Sequence, residues 1–99
     1  MTINKSIENE VHILELDGRL DTNTSPILEN ELNSVFETAK KITMDFSKLD
    51  YVSSAGLRVL LLGQKTSKEK NIYMALTGVS QDIMEVFEMT GFSDLLNIE

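Results

Sequence analysis

The chain contains no cysteine and no tryptophan, a single histidine and a single proline, and only nine Lys plus Arg against sixteen Asp plus Glu. Without cysteine there is no disulfide, no thiolate nucleophile and no thiolate metal site, and a reducing compartment is the natural setting. One histidine and no cysteine leave no cluster with metal-ligand spacing, so no metal or other cofactor is expected. The shortage of cations leaves a formal net charge of −7, which argues against nucleic acid and against an anionic membrane surface as partner. No apolar run approaches the length needed to span a bilayer. The opening MTINKSIENE lacks the apolar stretch of a signal peptide. A cytoplasmic protein is the resulting expectation. Gly18 and Gly56 stand alone, and the phosphate-cradling Gly-x-x-x-x-Gly-Lys-Ser/Thr loop is absent.

What is present fits one domain, residues 1–99, with one modest core. Thr2 to Ile7 is a weak strand, and Glu8 to Glu10 a polar turn. Val11 to Asp17 alternates as a strand, with His12, Leu14 and Leu16 on one face, and the Gly18 step ends it. From Ser25 the period changes. Pro26 suits the first helical position, Leu28, Leu32, Val35 and Phe36 form one stripe, and Lys40 with Lys41 close the helix near its negative end. Ile42, Met44 and Phe46 alternate with Thr43 and Asp45, and Ile72, Met74 and Leu76 repeat the pattern. Strands sandwiched on both faces tend to be apolar on both, so this alternation predicts an α/β sheet with helices chiefly on one face. A helix from about Ser80, with Ile83, Val86 and Phe87 inward and Gly91 past its end, precedes a short final strand near Leu95 to Ile98.

The most informative stretch is Tyr51 to Gly63, YVSSAGLRVLLLG. Ser53, Ser54, Ala55 and Gly56 form a small, polar step before Leu57, Leu60 and Leu61 at helical spacing, which is the pattern of a helix start. A serine there is exposed and lies beside free N–H groups with positive partial charge, so an added phosphoryl group would be well received. On the residues alone, a simple cap is the commoner role for such a serine. Asp21, Thr22, Asn23 and Thr24 read as cap and turn chemistry before the first helix. Gly56 reads as a close helix-to-strand contact or as room for a partner over Ser54. Arg58, one turn on, is a solvated charge or a contact to partner or phosphate. Catalysis finds no support: His12 lies within a strand, and of Asp17, Asp21, Asp45 and Asp50, the carboxylates that could be imagined as paired, Asp45 faces the polar side of its strand and Asp50 sits in a turn.

DFSKLDYVSSAGLRVLL resembles the signature of the STAS domains, the anti-sigma factor antagonists of bacterial partner switching. LDGRLDTNTSPIL (Leu16 to Leu28) is similar to that family's strand, loop and following helix, and VFEMTGFSDLLNI (Val86 to Ile98) to its last core helix and strand. The resemblance implies a STAS-like mixed, mainly parallel sheet of about five strands. It implies no enzyme but a binding switch: unphosphorylated, the protein would bind an anti-sigma factor that is also a serine kinase, thereby releasing a sigma factor or other client. A metal-dependent serine phosphatase would reset it. The phosphorylated serine maps to Ser54, followed by Ala55, Gly56 and Leu57. Ser53 stands where many members carry aspartate and is the second candidate. Partner contacts map to Asp21, Asn23, Thr24, Ser53, Ser54, Gly56 and Arg58. Two other roles are compatible with the same family: a subunit regulating an ABC-type lipid-transport ATPase, and a nucleotide-sensing module.

Overall fold

The structure, a computed structural model, describes residues 1–99. Its element order is β1 (Thr2–Glu8), β2 (Val11–Leu20), α1 (Ser25–Val35), β3 (Lys41–Val52), α2 (Ser54–Glu69), β4 (Tyr73–Thr77) and α3 (Gln81–Thr90), with a single 3₁₀ turn at Phe92–Asp94. The strands form one sheet in the order β1-β2-β3-β4. β1 runs antiparallel to β2, while β2, β3 and β4 are parallel. The antiparallel pair is joined by a two-residue turn in which Asn9 (φ 50°) and Glu10 (φ 69°) both take the left-handed conformation. That turn geometry matches the natural twist of a hairpin. The parallel pairs are joined by α1 and α2 as crossovers.

Side-chain alternation divides the sheet into two unlike faces. Leu14, Leu16, Ile42, Met44, Phe46, Met74 and Leu76 are all buried and join Leu28, Leu32, Leu57, Leu60, Ile83 and Phe87 of the helices in one core. Phe46 meets Phe87 of α3 with ring centroids 6.4 Å apart and planes inclined at 57°, within the tilted geometry that aromatic pairs favour. On the other face Ile13, Glu15, Thr43 and Asp45 are half-buried, Lys41 and Tyr73 are exposed, and Ala75 alone is fully buried. The helices therefore cover chiefly one face, as the alternation predicts.

Four expectations need correction. The sheet has four strands, where about five are expected. The last expected strand is reduced to an isolated parallel bridge between Leu76 and Ile98, because the chain turns through Phe92–Asp94 and reaches β4 only at its final residues. Gly18 does not end β2. Its φ of +114° is open to glycine at little cost, and the register shifts there as a bulge while the strand runs on to Leu20. β3 likewise extends from Lys41 to Val52, so Asp50 lies in a strand and not in a turn. Finally, Lys40 and Lys41 do not close α1, which ends at Val35; Lys41 already opens β3.

Candidate functional site

The parallel strands β2 and β3 end together, with Arg19 opposite Tyr51 and Leu20 opposite Val52. Immediately past these pairs the chain leaves β2 for the Asp21–Thr24 loop and leaves β3 for α2. The two exits are tied by one bond: the Ser53 N–H donates to the Leu20 carbonyl at 2.8 Å. This non-local contact sets the loop beside the α2 N-terminus, at the carboxyl ends of the strands, where open α/β sheets commonly carry their sites.

The loop is held from within. Asp21 Oδ1 accepts the N–H groups of Asn23 and Thr24, both at 3.0 Å. In return the Asp21 N–H donates to Thr24 Oγ1 at 2.8 Å. The Thr24 hydroxyl donates to the Arg19 carbonyl at 2.7 Å, with Asp21 Oδ1 also facing it at 3.2 Å. Ser25 Oγ donates to the Asp21 carbonyl at 2.5 Å. The Thr24 N–H foremost, then the Thr24 hydroxyl, the Asn23 N–H and the Arg19 charge, hold the Asp21 carboxyl below its ordinary pKa, against a smaller opposing effect of desolvation.

Of the two adjacent serines, the structure separates the roles. Ser53 is the N-cap, extended at φ −88° and ψ 174°, and its Oγ accepts the Gly56 N–H at 3.2 Å. Ser54 is therefore the first helical residue and is exposed. The hydroxyl that the cap needs is Ser53's, so the Ser54 hydroxyl is spared for other chemistry at the positive end of a helix of 16 residues.

Gly56 is buried against β2. A Cβ placed there would lie 2.8 Å from Leu20 Cγ and 3.0 Å from the Leu20 carbonyl oxygen. The first turn of α2 sits this close to β2 because that position lacks a side chain, which is the close contact expected of it. Arg58 is exposed one turn beyond Ser54.

The structure thus brings Asp21, Asn23 and Thr24 together with Ser53, Ser54 and Gly56 at one end of the sheet, and places Arg58 further along α2. Two neighbours were not singled out in the sequence. The Arg19 guanidinium lies 4.3 Å from the centre of the Tyr51 ring, and its Nε is 4.0 Å from Asp21 Oδ2. Tyr51 itself is 41 % exposed. Their pairing depends on strands that run past Gly18 and Phe46, beyond the alternation visible in the sequence. No group of three or more His, Cys, Asp or Glu gathers as a metal site, and no helix is long and apolar enough to cross a membrane.

The chain is similar to known proteins in both sequence and fold. The chain is 33% identical over 84 residues to BtrV of Bordetella bronchiseptica, a protein provisionally named an anti-sigma factor antagonist, with 84% of this chain and 72% of that one aligned. It is 26% identical over 94 residues to the anti-sigma-B factor antagonist of Bacillus subtilis, covering 95% of this chain and 85% of that protein. The phosphorylated form of the Bacillus cell fate determinant SpoIIAA has the same fold, with a TM-score of 0.77 at 16% identity over 99% of this chain and 91% of that one. The family model described as the STAS domain matches residues 2–99. From its sequence motifs, its sheet and this match over nearly its whole length, the chain belongs to the STAS domain family.

Proposed function

We propose that this STAS chain is an anti-sigma factor antagonist controlled by phosphorylation of Ser54. The observation that carries this reading is the division of labour at the α2 N-terminus: Ser53 caps the helix while Ser54, exposed at the first position, stands beside the Asp21 loop. The names of the relatives from B. bronchiseptica and B. subtilis support the antagonist role. The phosphorylated form of the structurally similar SpoIIAA supports the covalent switch.

In this reading the unmodified protein binds an anti-sigma factor serine kinase through Asp21, Asn23, Thr24, Ser53, Ser54, Gly56 and Arg58. The kinase transfers the γ-phosphoryl group of ATP to Ser54 Oγ, whose proton leaves. A metal-dependent phosphatase later hydrolyses the ester with water and returns the hydroxyl. Phosphorylation adds about −1.5 to −2 charge. At a helix N-terminus such charge is stabilising by about 0.3–1 kcal/mol, so the domain itself is not disturbed and release follows from repulsion or steric clash with the partner.

The test is phosphosite mass spectrometry on the protein from its own cells, with and without stress, together with Ser54→Asp. We expect occupancy on Ser54 that changes with condition, and a variant whose melting temperature is nearly unchanged while kinase binding weakens. No modification under any condition, or a collapsed fold in Ser54→Asp, refutes the proposal; modification on Ser53 corrects the site.

A further inference from the structure

The outer face of α2 combines charge and apolar surface in one line. At 3.6 residues per turn, Ser54, Arg58, Leu61, Leu62, Lys65 and Lys68 fall on one side, opposite the buried Leu57, Val59, Leu60, Gly63, Gln64 and Ser67. Five of these six outer residues are exposed, and Leu61 is half-buried. From Ser54 to Lys68 the strip is about 21 Å long at about 1.5 Å per residue. Glu69, exposed, also falls on this side and Lys70 does not, so the strip carries three cations, Arg58, Lys65 and Lys68, against one acid, although the whole protein has a net charge of −7. The ion pairs of the structure engage Lys5, Arg19 and Lys48 instead.

Midway along, the strip becomes apolar. Leu62 is 46% exposed, and Leu95, 48% exposed, faces α2 across a hollow. That hollow, of about 380 Å³, is lined by Leu61, Lys65, Lys68 and Leu95. An apolar floor bordered by two ammonium groups is complementary to an apolar side chain flanked by carboxylates. A straight strip of this length suits a helix laid along it, the mode in which spaced apolar residues anchor an amphipathic helix in a groove.

We propose that the outer face of α2 is a docking strip for an acidic amphipathic helix of a protein partner. A bilayer or a nucleic acid, being an extended polyanion, meets the field of the whole acidic molecule and is repelled. A short helix interacts within a Debye length of roughly 8 Å and meets mainly the local cations. The strip also explains how phosphorylation could reach the partner, a clause that rests on the Ser54 reading above. Positions four apart on a helix have Cβ atoms about 5–6 Å apart, so phosphoserine at Ser54 draws Arg58 into charge-assisted hydrogen bonds and removes it from the partner's carboxylates.

The experiment is an NMR titration of the full chain with a synthetic helical peptide about as long as the strip (~21 Å), carrying Leu at helical spacing between Glu residues. A control peptide has every Glu replaced by Lys. We expect shifts concentrated at Arg58, Leu61, Leu62, Lys65, Lys68 and Leu95, and weakening by roughly tenfold in the double variant Lys65→Glu, Lys68→Glu, which stays folded because both side chains are exposed. Absence of shifts on the strip, equal binding of the Lys peptide, undiminished binding by the double variant, or tighter binding to phosphatidylglycerol vesicles or single-stranded DNA overturns the proposal. Phosphoserine installed at Ser54 should weaken the peptide, and Arg58→Gln should abolish that difference; if it does not, the phosphorylation clause fails while the strip stands. An Ser54 never phosphorylated in cells removes the switch but leaves the titration result intact.

Discussion

Asp21 keeps its charge because its own turn supplies the donors. The depressed pKa has a fixed consequence for stability. A carboxyl with a lower pKa in the folded than in the unfolded chain contributes stability that is fully present above the unfolded value, about pH 4 for aspartate, and is lost as the pH falls through the folded value. We expect the Asp21 side-chain titration, followed by NMR, to fall below the ordinary aspartate range. Thr24→Val should raise it only in part, since the Thr24 N–H remains as the strongest donor. A wild-type midpoint in or above the ordinary range contradicts this account of the loop. The paired serines allow a second test at the same scale. Ser53→Ala removes the cap and should cost about 1 kcal/mol, whereas Ser54→Ala should change stability by less than about 0.5 kcal/mol, both read from urea unfolding. Equal losses would mean that the two hydroxyls share the cap.

At the level of elements, α2 does more than cover the sheet. Gln64, 4% exposed, accepts the Asn97 N–H at 3.0 Å with its Oε1 and directs its Nε2 toward Ser67 Oγ at 3.3 Å and the Met74 carbonyl at 3.5 Å. Asn97 Nδ2 donates to the same Met74 carbonyl at 3.2 Å. The Asn97 carbonyl then accepts the Leu76 N–H, and the Glu99 N–H donates to the Leu76 carbonyl, both at 2.8 Å. One buried amide thus links α2, β4 and the last residues of the chain. Gln64→Leu strands the Asn97 N–H away from its acceptor and should cost about 1–3 kcal/mol. Hydrogen exchange should accelerate most at Asn97 and Glu99. Unchanged protection there would show that Leu96 and Ile98, and not the amide, hold the segment.

Across the whole molecule, what was legible in the sequence is what repeats locally. Alternation in β2, β3 and β4 carried the one-sided sheet, and the stripes Leu28, Leu32, Val35 and Ile83, Phe87 carried α1 and α3. The extensions of β2 and β3 were hidden because a bulge changes the phase: after Ile42, Met44 and Phe46 the buried residues are Leu49 and Val52, no longer two apart. The candidate site was legible chiefly through family resemblance. Its decisive contact, the Ser53 N–H on the Leu20 carbonyl, joins residues far apart in the chain, and the choice of Ser53 over Ser54 as cap is made by backbone angles that two identical neighbours do not reveal. The segment that meets β4 has a wider consequence. A sheet with two bare sides can add copies of itself without end, as in a growing ribbon. Here Asn97 to Glu99 occupy the Met74 carbonyl and both backbone groups of Leu76 along one side, so that side ends in a short segment while the other ends in the seven residues of β1. A three-residue segment gives an incoming strand little to pair with, which blunts the β4 side of the sheet against strand addition.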